Sequence, residues 1–119
     1  MGYITATGRT SKGRTTTLAS SAARTATGTG AAVEVADRGS VRLLLDVTAA
    51  SGTTPTLDVT IETSYDGSTG WTSLGTFTQK TAVSSQRKNF GGADRFVRAS
   101  WTIGGTTPSF TFSVDGEAV

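Results

Sequence analysis

The chain has neither cysteine nor histidine, and its 119 residues include only one methionine and two prolines. Without cysteine it can form no disulfide bond or thiolate metal site, and without histidine it lacks the commonest general base and metal ligand. No apolar run approaches the ~20 residues of a membrane span, and the N-terminus lacks the charged and apolar regions of a secretory signal. We therefore expect no membrane association, no conventional secretion, no metal and no cofactor.

Threonine and glycine dominate what is present, whereas leucine, methionine and lysine are scarce. The sequence holds 24 threonines and 15 glycines. β-Branched residues favour strands, and glycine favours turns over helices. A chain of this length can bury a single core. The composition therefore predicts one all-β domain.

Two segments have the pattern of one β-hairpin repeated, Val41–Thr63 and Phe96–Glu117. In both, apolar residues alternate with polar ones at the period of a half-buried strand. The residues Gly-Thr-Thr-Pro occupy the centre of each segment, 53 residues apart, and have the composition of a turn. The sequence therefore predicts two hairpins, related by internal pseudo-symmetry, in two sheets that face each other. The alternating residues are Val41, Leu43, Leu45, Val47, Leu57, Val59, Ile61, Val97, Ala99, Trp101, Ile103, Phe110, Phe112 and Val114.

Shorter strands are predicted at Ala31–Val35, Trp71–Gln79 and Gln86–Phe90. Seven or eight antiparallel strands at such intervals are typical of a β-sandwich or jelly-roll-like domain. Residues 1–30 contain few bulky apolar side chains and cannot form a core of their own. We therefore divide the chain into an extended N-terminal arm, residues 1–30, with a short strand near Thr16–Ala23, and a β-sandwich domain, residues 31–119.

The predicted arm is basic, whereas the predicted domain is mildly acidic. Residues 1–30 hold four Lys or Arg and no Asp or Glu, and residues 31–119 hold seven bases and nine acids. Such an arm can pair with the edge strand of a neighbouring protein, and its bases can contact an acidic surface. The candidate partner-binding residues are Tyr3, Ile4, Arg9, Lys12, Arg14 and Arg24.

The aromatic residues Trp71, Phe77, Trp101, Phe110 and Phe112 are predicted to fill the core, because they alternate with polar residues. An exposed aromatic platform for sugars or single-stranded nucleic acid is the alternative. The segment Ser64–Trp71 is close to an Asp-box loop, and we interpret it as a structural turn in which Asp66 caps backbone amides. Outside the core pattern, we assign Phe96, Arg87 and Arg98 to contacts between subunits.

No residue pattern indicates catalysis. Asp58 and Glu62 fall on one face of a predicted strand but too far apart for the paired carboxylates of a glycosidase. Lys80 and Lys88 lie in polar surroundings, unlike a desolvated catalytic lysine. Acids are interspersed among the bases, so the charge pattern does not mark a nucleic-acid site. We expect a non-enzymatic protein that does not bind nucleic acid.

Three segments carry a resemblance to a known class of proteins: Val41–Gly52, Leu57–Ser64 and Phe110–Val114. With the Thr/Ala-rich N-terminal segment, the Asp-Gly loop before Trp71 and the strand at Phe77–Gln79, they resemble small β-rich virion structural proteins of tailed bacteriophages. The resemblance covers roughly residues 18–119.

This resemblance implies a head decoration or minor capsid protein, located on the capsid surface after synthesis in the bacterial cytoplasm. The implied partner is the major capsid protein, and the symmetry of capsids makes a homotrimer the expected oligomer. A tail or head–tail connector protein is one alternative. A carbohydrate- or cell-surface-binding β-sandwich is the other.

Overall fold

The structure, a computed structural model, describes residues 14–36 and 38–119. These residues form seven strands, paired antiparallel, and no helix. The strands are β1 (Arg14–Arg24), β2 (Gly28–Thr29), β3 (Val33–Glu34), β4 (Ser40–Ser64), β5 (Thr72–Thr76), β6 (Ser84–Gly91) and β7 (Phe96–Ala118).

The two longest strands, β4 and β7, pair with each other along nearly their whole length. The pairing runs from Val41 opposite Ala118 to Ser64 opposite Phe96. The prediction of two hairpins is therefore wrong, because neither segment folds back on itself. Each continues through its Gly-Thr-Thr-Pro residues as one long strand, and these residues bend the strand without reversing it, with register shifts at the bend.

The two Gly-Thr-Thr-Pro bends lie against each other at the middle of the β4–β7 ribbon. Gly52 and Gly105 have φ angles of 113° and 110°, and Thr54 and Thr107 share a φ of 46°. A Cβ atom added to Gly52 would lie 2.8 Å from the Thr107 carbonyl oxygen, and one added to Gly105 would lie 2.7 Å from that of Thr54. The internal pseudo-symmetry thus relates two strands of one ribbon.

All seven strands belong to one hydrogen-bonded sheet, and the bends divide it at the middle of the ribbon into two halves, which we call the first and the second sheet. The first sheet has the order β1–β7–β4–β6 and contains the beginning of β4 and the end of β7. The second contains the other halves, with β5 beside β4 and the short β2 and β3 beside β7. Bends that carry strands from one sheet to the other are a known way to turn the corner of a sandwich.

The core lies between the two sheets. The rings of Phe77 and Phe90 meet edge to face at 5.3 Å, and those of Trp101 and Phe112 at 5.5 Å, an arrangement that aromatic pairs prefer. The predicted alternation is confirmed, since all its inward residues are buried except Ile103, which is half-buried. The predicted all-β, sandwich-like domain of seven or eight antiparallel strands is likewise confirmed, and the described residues form seven.

Part of the predicted arm lies within the sandwich. β1 pairs with β7 along the edge of the first sheet, and its Leu18 and Ala19 are buried in the core. Pairing and burial against β7 offset the ordering entropy that this segment cannot overcome alone. The sandwich therefore includes Arg14–Arg24, which differs from the predicted division at residue 30. The predicted strand Thr16–Ala23 lies inside β1.

Candidate interaction surface

The residues predicted to contact partners do not form one cluster in the structure. Tyr3, Ile4, Arg9 and Lys12 lie outside the described residues, and Arg14 begins β1 opposite Ala118. Of the other four, Phe96 and Arg98 lie two residues apart on β7, whereas Arg24 ends β1 and Arg87 lies in β6.

Arg24, the last residue of β1, contacts its own domain. Its guanidinium carbon lies 4.8 Å from the centroid of the Trp101 ring and 4.4 Å from that of Phe112. Its Nη1 donates to the Phe112 carbonyl oxygen at 2.7 Å, and its Nη2 donates to that of Ser20 at 2.7 Å. Burial lowers the pKa of the Arg24 guanidinium. Arg24 therefore covers the aromatic pair by cation–π contact, instead of extending toward a partner.

Arg98 is held on the outer face of the second sheet. Its Nε donates to Glu62 Oε1 at 2.8 Å, and its guanidinium carbon lies 4.1 Å from the centroid of the Trp71 ring. Trp71 is half-buried beneath it. The predicted place of Trp71 in the core is therefore wrong, and the ring face under Arg98 is not open to a sugar.

Other polar groups of the second sheet and its flanking loops are also paired within the chain. The Thr60 and Thr76 hydroxyls share a hydrogen bond of 2.9 Å. Gln79 Nε2 donates to both carboxylate oxygens of Asp58, at 3.3 and 3.0 Å. Phe96 is half-buried, and a Cβ atom added to Gly67 would lie 3.0 Å from its ring. The charged side chains of β4 and β7 on this face, Asp58, Glu62 and Arg98, are thus paired within the chain.

The outer face of the first sheet differs in this respect. Leu44 of β4 lies between its two cross-strand partners, Arg87 of β6 and Asp115 of β7. Arg42 and Asp46 lie on the same face, two residues before and after Leu44, because side chains alternate along a strand. We call these five residues the Leu44 patch.

The charges of the Leu44 patch are largely unpaired. The side chains of Asp46, Arg87 and Asp115 form no ion pair or hydrogen bond with any described residue. Arg42 Nη1 lies 3.8 Å from Glu117 Oε1, and these side chains are 62% and 36% exposed. An exposed ion pair contributes at most about 1 kcal/mol. Arg42 therefore remains available to another partner.

The patch is open and has an apolar centre. Four of its residues line a depression of ≈ 490 Å³, together with Leu43, Gly116 and Glu117. Leu44 is half-buried, whereas Arg42 and Arg87 are exposed. An apolar centre with a charged rim is the usual anatomy of a protein–protein contact. The arrangement can bind a complementary protein surface.

Of the Leu44 patch, only Arg87 is among the residues that the sequence predicts to contact a partner. Leu44 interrupts the alternation in Leu43-Leu44-Leu45. An apolar residue at this outward position is the feature of the sequence from which the patch could have been predicted. Its charged neighbours come from strands β4, β6 and β7, so recognising them requires the register of all three.

No protein-family model, curated protein or solved structure matches this chain. Within the described part of the chain, no group of three or more Asp or Glu is placed to hold a metal ion. No helix there is long and apolar enough to cross a membrane. The Leu44 patch is the structural feature from which we infer function.

The loop Ser64–Trp71 is a structural turn, as predicted. Asp66 Oδ1 accepts the amide hydrogens of Thr69 at 2.8 Å and Ser68 at 2.9 Å, and Oδ2 accepts the Thr69 hydroxyl at 2.8 Å. Ser64 Oγ donates to the Thr69 carbonyl oxygen. The bonds from Thr69 and Ser68 hold the pKa of the Asp66 carboxyl well below its usual range.

The depressed pKa of Asp66 predicts a pH-dependent contribution to stability. Because the pKa is lower in the folded state, the contribution is fully present above the unfolded value of about 3.9 and is lost as pH falls through the folded value. We expect Asp66→Asn to lower the melting temperature at neutral pH, and the difference from wild type to shrink as pH falls below about 4. Thermal unfolding of both proteins across this range tests it, and a pH-independent difference would contradict it.

Proposed function

We propose that the protein is a non-enzymatic structural component of a tailed-phage virion, a decoration or minor capsid protein that binds the outer surface of the head. The observation that carries this proposal is the contrast between the two outer faces of the sandwich. One face pairs its charges internally, whereas the Leu44 patch leaves three charged side chains without partners among the described residues. Such a face suits protein–protein contact. The resemblance to virion proteins supplies the type of assembly.

A protein can stabilise a shell through many contacts that are each weak. A small polar interface binds weakly alone, but a lattice that holds many copies multiplies its effect. In this proposal the Leu44 patch contacts a neighbouring protein on the shell, and the basic N-terminal residues, including Arg9, Lys12 and Arg14, contact the major capsid protein. Bridging between capsid subunits would then resist rupture of the shell.

The test uses heads of the phage that encodes this chain, purified without the protein. Added protein is expected to bind in many copies, on the order of hundreds per head, and to raise the temperature at which heads rupture. Arg9→Glu combined with Lys12→Glu should weaken binding by at least ~10-fold, because it reverses two charges of the basic segment. Arg38→Glu, at an exposed residue outside this segment, is the control and should bind normally.

Two results would overturn the proposal. The first is no binding to purified heads with an unchanged rupture temperature. The second is imaging of the assembled particle that locates only a few copies at the tail or the head–tail junction, which would assign the protein to the connector.

A further inference from the structure

The Leu44 patch has an unusual distribution of charge. Arg87 lies across the sheet on one side of Leu44, and Asp115 lies on the other. Along β4, Arg42 precedes Leu44 and Asp46 follows it. Each base is thus opposite an acid through Leu44, at about 5 Å across the strands or about 7 Å along them. The two bases occupy one half of the patch, and the two acids occupy the other.

This distribution is complementary to itself. We infer that two copies of the chain pair face to face through the Leu44 patch, about a two-fold axis that passes through Leu44 in the plane of the interface. An axis perpendicular to the line from the basic to the acidic half exchanges the two halves. It places Arg87 of each copy over Asp46 of the other, and Arg42 of each over Asp115 of the other. The two Leu44 side chains meet at the centre.

A second copy fits this surface better than an unrelated partner for a physical reason. An isologous contact requires that one patch supply both halves of every charge pair. A face of single charge would repel its own copy, whereas this face offers two bases and two acids in matching positions. The dimer rests on the proposed function, since it identifies a second copy as the partner of the Leu44 patch. The N-terminal segment remains the part that contacts the capsid.

The size of the face limits the affinity. Eight residue pairs join β4 to β6, which corresponds to a length of about 26 Å. The four strands give this face a width of about 19 Å. Each copy therefore contributes a projected area of roughly 500 Å², which does not count the additional surface of protruding side chains. This is less than the roughly 800 Å² per partner of a standard stable complex. We therefore expect dissociation in the micromolar range, with weaker association as salt rises.

Sedimentation velocity of the purified full chain over a range of concentrations tests the inference. Wild type is expected to shift from monomer to dimer. Arg87→Asp and Asp46→Arg should each weaken self-association by at least ~10-fold, because symmetry makes each substitution create two like-charge contacts per dimer. An equimolar mixture of these two variants should form a heterodimer, since every contact between residues 87 and 46 again joins opposite charges. The double variant should regain self-association for the same reason.

The matched control is Arg38→Asp, which makes the same charge change at an exposed residue outside the patch and should leave the dimer unchanged. A monomer at all concentrations would overturn the inference. So would a trimer, a dimer insensitive to Arg87→Asp, or failure of the mixture to associate. Head binding is scored separately: a monomer that decorates heads contradicts only the dimer, and a dimer that ignores heads contradicts only the proposed function.

Discussion

Replacement of Gly116 by alanine is expected to unfold the domain or to leave it barely stable. Gly116 lies in β7 opposite Leu43 of β4, at the centre of the first sheet. A Cβ atom there would collide with the carbonyl oxygen of Arg42, and would lie 2.9 Å from its carbonyl carbon and 3.0 Å from the Leu43 Cα atom. All three obstacles are backbone atoms, so no side chain can rotate away to relieve the contact.

The expected cost follows from what must move. To admit the methyl group, β4 and β7 must separate where both carry core residues, and these strands join the two sheets. We expect a loss of about 4 kcal/mol or more in the free energy of unfolding, at the upper end for a point substitution. That is a large share of the 5–15 kcal/mol typical of a domain.

Gly91→Ala provides the matched control. Gly91 lies in the edge strand β6, its φ is not positive, and a Cβ atom added there would meet nothing within 4 Å. We expect this variant to change the free energy of unfolding by less than about 1 kcal/mol. Urea unfolding followed by fluorescence of the buried Trp101 measures both. A Gly116→Ala protein as stable as Gly91→Ala would show that the β4–β7 register at this place is different.

The residues that line the core could be predicted because burial in a strand follows a local rule. Period-two alternation identifies Val41, Leu43, Phe110 and Phe112 as inward-facing without knowledge of any partner strand. All four are buried. The pairing of the strands could not be predicted in the same way, because a segment with Gly, Thr and Pro has the composition of a turn whether it reverses the chain or only bends it. The correct partner of each bend lies 53 residues away.

The interaction surface was harder to predict than the core for a related reason. The sequence does not show whether an arginine contacts its own domain or a partner. Arg24 and Arg98 are occupied by aromatic rings and acceptors of their own chain, while Arg87 is not paired with any described residue. The difference depends on contacts between distant strands. Leu44 carries no charge, yet it lies at the centre of the four charged residues.

The bends themselves carry the second large prediction. Gly52→Ala and Gly105→Ala are each expected to lower the free energy of unfolding by about 2–4 kcal/mol, and by similar amounts. Both positions have φ near 110°, a conformation that residues with a Cβ atom rarely adopt. A Cβ atom at either would also lie 2.9 Å from the Cα atom of the proline in the opposite bend.

Gly92→Ala measures the effect of a positive φ without any contact between the bends. Gly92 has a φ of 76°, and a Cβ atom added there would meet nothing within 4 Å. It therefore measures backbone strain alone, expected at about 1 kcal/mol. The difference between Gly92→Ala and either bend variant reports the contact between bends together with the greater backbone strain of a φ near 110°. If all three variants lost the same stability, the bends would not be in contact.

The double variant tests whether the two bends act as one unit. Each alanine pushes apart the same pair of segments, so the second substitution meets a gap that the first has already opened. We expect Gly52→Ala and Gly105→Ala together to cost less than the sum of the single effects, by about 1 kcal/mol or more, as is usual for residues in contact. Urea unfolding of the four proteins in this cycle gives the coupling energy. Strict additivity would mean that each glycine serves only its own strand. A double-variant cost below the sum would support the conclusion that the repeated Gly-Thr-Thr-Pro sequence is one structural element made from two distant copies, which turns the corner of the sandwich.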